Sequence, residues 1–124
     1  MLADAHHQKA GAVVLFSGEA RNHNDGKSVQ MLEYEANIEL AESVMSEIIN
    51  SAREKFGLHY AHCVHRIGKV DISESAVCVV TSASHRKEAY DGNKYIIDRV
   101  KAEAPIWKKE YFTDGNTAWG ENKL

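Results

Sequence analysis

No apolar run in this chain approaches the roughly 20 residues needed to cross a bilayer as a helix. The opening residues, Met1-Leu2-Ala3-Asp4-Ala5-His6-His7, carry no signal-peptide pattern. Cysteine is scarce: Cys63 and Cys78 are the only two, and both sit in apolar, strand-like segments. The strand positions allow them to pair, but a reduced, cytoplasmic setting is the simpler expectation. Apolar surroundings also raise a thiol's pKa, which argues against either as a nucleophile. No Ser-His-Asp spacing, P-loop or dinucleotide-binding glycine pattern occurs. Excess positive charge is missing too: 15 Lys and Arg against 18 Asp and Glu leave a formal net charge of −3. That balance speaks against a general binder of nucleic acid or anionic membrane. Repeats, linkers and low-complexity tracts are absent, so residues 1–124 read as one domain.

What is present is ordinary globular chemistry, 44% hydrophobic and 27% charged. Residues 11–18 form an apolar run bounded by glycines, which reads as a buried strand. A polar loop with an Asp-Gly turn signal spans 21–28, and a second strand over 29–35 completes an expected hairpin. From 38 to 56 the apolar positions Ile38, Ala41, Val44, Met45, Ile48, Ile49, Ala52 and Phe56 line one helix face. Asn37 is the expected N-cap and Gly57 the C-terminal stop. Strands follow over 59–67 and through Val80, then a helix from about Ser84 to Glu103 with Ala89, Asn93, Ile96, Ile97 and Val100 as its buried stripe. The single proline, Pro105, ends it, and 106–112 is a final strand before a turn and a tail containing Trp119. The order β-β-α-β-β-α-β predicts an α+β fold, two helices packed on one mixed, largely antiparallel sheet.

The second helix carries an anomaly. Ser82-Ala83-Ser84-His85-Arg86-Lys87 stacks basic residues onto a helix start, where the dipole disfavours them by about 0.3–1 kcal/mol each. A bound phosphate or carboxylate would supply the missing negative charge. Lys101 lies in the last turn, where a lysine equally well complements the dipole. Lys108 follows on the next strand, facing away from Lys109, and a solvated edge-strand pair is the plain alternative. Arg21 and His23 occupy the polar loop, able to close over a ligand or simply to be solvated. His59, Cys63 and His65 share one face of a strand and His62 the other. With no second cluster at ligand spacing, neither a metal nor a cofactor is expected. Chemistry here would rest on lysines, arginines and histidine around an anionic substrate, with any covalent nucleophile arriving from outside the chain.

Five motifs stand in register: Gly11-Ala12-Val13-Val14 with Arg21-Asn22-His23-Asn24; His65-Arg66-Ile67-Gly68; Ser84-His85-Arg86; Lys101; and Ala104-Pro105-Ile106-Trp107-Lys108-Lys109-Glu110. In that order and spacing the chain strongly resembles the large, catalytic subunit of molybdopterin synthase, from about 11 to 119. The resemblance implies an α/β-hammerhead type fold and a homodimer, with a small ubiquitin-like subunit docked at each end to give a heterotetramer. The small subunit's C-terminal Gly-Gly carries a thiocarboxylate whose sulfur passes to cyclic pyranopterin monophosphate, forming the dithiolene of molybdopterin. By the same resemblance Lys101 and Lys108 are the catalytic lysines, and Arg21, His85 and Arg86 bind substrate phosphate and pterin. Two lysines packed at ~5 Å repel by about 3 kcal/mol at an effective dielectric near 20, which lowers their pKa values.

The residues leave two other readings. A non-catalytic module would use the same basic pocket to hold a phosphorylated metabolite or an acidic peptide tail. A metal-binding structural protein would use His59, Cys63 and His65.

Overall fold

The computed structural model describes residues 2–121. In chain order the elements are α1 (Leu2–Ala5), β1 (Ala12–Glu19), β2 (His23–Asn24), β3 (Lys27–Ala36), α2 (Ile38–Phe56), β4 (Tyr60–His65), β5 (Gly68–Asp71), β6 (Ser75–Ala83), α3 (Arg86–Glu103), β7 (Ile106–Phe112) and β8 (Thr117–Glu121). The fold is α+β, as the sequence predicts. Helix α2 spans the residues its apolar spacing marks, capped by the Asn37 side chain accepting from the Leu40 N–H and closed by Gly57 at φ 63°. Helix α3 begins two residues later than expected, because His85 is still extended at φ −128° and ψ 153°.

The strands divide differently from expectation. They form two sheets, one three-stranded in the order β1-β6-β4 and one five-stranded in the order β2-β3-β7-β8 with β5 also on β3. All pairings among the described residues are antiparallel, with no parallel element. The expected hairpin between β1 and β3 does not form: β1 pairs with β6, and β3 with β7. The chain leaves the first sheet at an irregularity between Gly18 and Glu19. Ala20 is then tied to the β5–β6 turn, its N–H donating to Glu74 O at 3.0 Å and its carbonyl accepting from Ser73 N–H at 2.7 Å. The Asp-Gly signal makes a smaller ribbon instead, β2 against the start of β3, with Asp25 and Gly26 at φ 50° and 77°. The tail around Trp119 is the strand β8, paired with β7.

Two cores follow. Helices α2 and α3 pack on one face of the three-stranded sheet around Ile48, Leu58, Val77, Val79, Ile96 and Val100. Each such side chain, fully buried, contributes roughly 1.5–3 kcal/mol. Asn93 sits among them, donating to Val79 O at 3.0 Å and Val14 O at 3.2 Å, while Thr81 Oγ1 donates to Ala89 O at 2.7 Å. These bonds set the register of α3 on the sheet, and so decide where its last turn arrives. Cys63 lies opposite Val79 and shares its helix-facing side, so Cys78, the next residue along β6, faces the other way. Both remain free thiols, and that opposition rules out the pairing their strand positions had left open.

The second core lies on the inner face of the five-stranded sheet, around Val29, Leu32, Tyr34, Val70, Ile106 and Phe112. Strand alternation puts Ile106, Lys108, Glu110 and Phe112 on one side of β7. Two charged residues therefore interrupt an otherwise apolar face.

Candidate active site

Lys108 and Glu110 face a cavity of about 260 Å³ between the inner face of β3 and β7 and the end of β1. Tyr34 stands directly across from Lys108 in the β3–β7 pairing and lines the same space. Phe16 and Gly18 form the β1 wall, and Arg21, His23 and Asn24 close the rim. The rim is fastened: the Asn24 side-chain amide lies 3.0 Å and 2.9 Å from the two carboxylate oxygens of Glu110. That bidentate contact clips the β2 ribbon, and with it Arg21 and His23, to β7.

Lys101, in the last turn of α3, is not part of the cavity lining but lies close enough to Lys108 for the two charges to interact. It is partly buried, and removal from water together with the neighbouring Lys108 charge lowers its pKa to about 8, with Cys63 acting in the opposite direction. Lys108 is also pushed below the ordinary lysine value, mainly by burial, with Glu110 opposing, Arg21 adding to the shift, and Asp25 opposing. Arg21, Lys108 and Lys101 thus form one electrostatically linked row. Burial pushes the Cys63 thiol up to about 12, so it is no nucleophile despite its proximity to Lys101.

The remaining candidates fall elsewhere. His85 and Arg86 begin α3 while Lys101 ends it; fifteen residues of helix separate the ends by about 22 Å. Both are exposed, and the His85 side chain makes no capping bond. One copy of the chain therefore does not gather all the basic residues into one cavity. Lys109 points outward, its Nζ 5.0 Å from the Tyr111 ring centre and 5.5 Å from that of Trp119. The histidine strand does not form a ligand set. His59 stacks on His7 at 4.7 Å with its Nε2 3.0 Å from Ser84 Oγ, and His65 Nδ1 donates to Arg66 O at 2.7 Å. Among the described residues no three His, Cys, Asp or Glu side chains converge as a metal site would require, and no helix is long and apolar enough to cross a membrane.

Sequence reasoning missed Tyr34, Asn24 and the role of Glu110. Tyr34 alternates with Leu32 along a strand and reads as core. A charged residue two positions after Lys108, on a strand with apolar ends, was the available signal for Glu110.

Comparison with known proteins gives a consistent answer. A family model described as MoaE protein matches residues 1–103. A molybdopterin synthase catalytic subunit from Thermoplasma volcanium is 41% identical over 110 residues, 89% of this chain and 80% of that protein. The X-ray structure of molybdopterin synthase from Staphylococcus aureus matches with a TM-score of 0.90 at 39% identity, covering 98% of this chain and 88% of that one. A complex of subunits 1 and 2 of molybdopterin-converting factor from Helicobacter pylori shares the fold at a TM-score of 0.75 and 22% identity, over 94% of this chain and 75% of that one. With the match running over most of its length, this chain belongs to the MoaE family, among the catalytic subunits of molybdopterin synthase.

Proposed function

We propose that this chain is the sulfurtransferase subunit of a molybdopterin synthase, and that the row Arg21–Lys108–Lys101 is its working centre. The observation that carries the proposal is Lys101: an amine with a pKa of about 8, beside a second lysine at the edge of a cavity. At pH 7 about one in ten such amines is neutral, against fewer than one in a thousand for an ordinary lysine. Lys108 and Arg21 supply charge for the anionic guest, cyclic pyranopterin monophosphate. Sulfur arrives as the C-terminal thiocarboxylate of a small ubiquitin-like partner; a two-subunit complex among proteins of this fold supports the presence of a partner subunit.

In each transfer the thiocarboxylate sulfur bonds to a carbon of the pterin side chain as that carbon's bond to oxygen breaks, the oxygen leaving with the opened cyclic phosphate in one transfer and as water in the other. Water then adds to the acyl carbon and the acyl C–S bond breaks, leaving a carboxylate on the partner's tail and sulfur on the pterin. The water's proton needs an acceptor, and neutral Lys101 fills that role. Two such transfers complete the dithiolene.

His85 and Arg86 join this centre only from a second copy. Strand β1 is an edge of its sheet, and its Ala12 end lies beside Ala83, next to the start of α3. A second copy laid antiparallel along β1 brings the α3 start of one copy to the Arg21 end of the other. This supports a homodimer with a small subunit at each end.

The test is turnover. Incubated with thiocarboxylated small subunit and cyclic pyranopterin monophosphate, the protein forms molybdopterin; a module that only binds forms none. Lys101→Ala abolishes product while leaving the far-UV spectrum and melting cooperativity unchanged. Native-rate product from that folded variant would reject the role given to Lys101.

A further inference from the structure

Tyr34 is 2% exposed, yet it lines the cavity beside Lys108 and Glu110. Among the described residues no group hydrogen-bonds its hydroxyl. The hydroxyl is nevertheless not a fully buried orphan: it keeps some accessible surface, so the polar tip is the wet part of an otherwise buried ring. The ring is held firmly: it stands across from Lys108 on the neighbouring strand, and His65 packs edge-on to it at 4.9 Å and 71°. Its position therefore reflects the fold, and the little of it that stays accessible opens on the cavity it lines.

The neighbouring groups show what the hydroxyl can serve. Both oxygens of Glu110, the carboxylate whose charge acts on the Tyr34 phenol, are engaged by the Asn24 amide. Burial first, then the Glu110 charge, push the Tyr34 phenol up to about 12. It therefore keeps its proton wherever Lys101 titrates and acts as a donor throughout.

We propose that Tyr34 is a ligand-binding residue, its hydroxyl donating to an anionic oxygen of the guest held by Lys108 and Arg21. This rests on the reading of the cavity as the reaction site. Two guests present such an oxygen: the phosphate of cyclic pyranopterin monophosphate and the carboxyl end of the partner's Gly-Gly tail. A directional neutral donor beside an ammonium fixes orientation, so its loss appears in binding and not in proton transfer.

Tyr34→Phe removes the hydroxyl and nothing else. Affinity for each guest is measured by calorimetry with wild type, Tyr34→Phe and Lys101→Ala, using cyclic pyranopterin monophosphate in one arm and the small subunit in its carboxylate form in the other. The expected result is a loss of about tenfold or more in one arm, which identifies the guest. The melting temperature of the free variant stays the same or rises, because no protein group loses a partner. The pH profile of turnover keeps its midpoint. In wild type labelled with ¹³C at tyrosine Cζ, the Tyr34 resonance shifts on adding that guest. Equal affinities in both arms, a free variant that melts lower, or an unmoved Cζ resonance overturns the assignment of Tyr34. Wild type binding neither guest would overturn the reading of the cavity and Tyr34 with it; wild type binding both while Tyr34→Phe binds equally would overturn Tyr34 alone.

Discussion

Replacing Lys101 with methionine keeps most of the buried stem and removes a charge that the fold disfavours. Lowering a lysine from 10.5 to about 8 means that the folded state holds its proton less tightly than the unfolded chain does. The difference corresponds to about 3 kcal/mol of stability withheld from the wild type wherever both states would be protonated. Methionine does not reproduce every contact of the lysine stem, so the expected gain is about 1–3 kcal/mol, or roughly 3–10 °C in melting temperature for a chain of this size. The pH dependence is the sharper test. Between about pH 8 and 10.5 the unfolded wild type binds more protons than the folded, so its stability rises with pH across that window. The advantage of Lys101→Met is therefore full below about pH 8 and fades as pH approaches 10.5. Thermal melts of both proteins at intervals across that range read it directly, and sulfur transfer is lost in the variant at every pH. A variant no more stable than wild type at neutral pH, or an advantage that grows above pH 9, would refute the reasoning.

Four further outcomes follow from the same geometry. Turnover by wild type rises with pH through a midpoint near 8, because the neutral amine of Lys101 is the working form; a rate independent of pH there removes Lys101 as the proton acceptor. Mixing Arg86→Ala with Lys101→Ala and reassociating the subunits restores about a quarter of wild-type activity if each cavity draws on both copies, whereas a cavity built from one copy restores none. Asn24→Asp sets a second carboxylate against Glu110, frees the rim and raises KM for the pterin about tenfold with kcat little changed, as steady-state kinetics will show. Gly92→Ala improves helix propensity by about 1 kcal/mol, but its Cβ would lie 2.9 Å from both Leu58 Cδ atoms; urea denaturation should show a net loss of about 1 kcal/mol.

Local pattern alone settled a good deal of this protein. The 3.6-residue spacing between Ile38 and Phe56, with Asn37 before it and Gly57 after it, determines α2 and both its ends, because capping and burial of one face act within a few residues. Alternation over 106–112 determines that Lys108 and Lys109 part company, one toward the cavity and one toward the rings of Tyr111 and Trp119. The motif register was likewise enough to indicate the family. Strand partnership was not legible, since β1 and β3 are equally good strands whether they pair with each other or with β6 and β7. That choice depends on long-range contacts such as the hold of Glu74 and Ser73 on Ala20. Nor does sequence convey desolvation: Lys101 in a last helical turn looks like any dipole-complementing lysine until α3 is registered on its sheet by Asn93 and Thr81. Tyr34 reads as core until β7 brings Lys108 across from it and Glu110 across from its neighbour on the same face, Leu32. Tertiary structure decides these points because an amine's proton affinity and a hydroxyl's partner are set by what lies within a few ångströms in space, and here those neighbours come from distant parts of the chain.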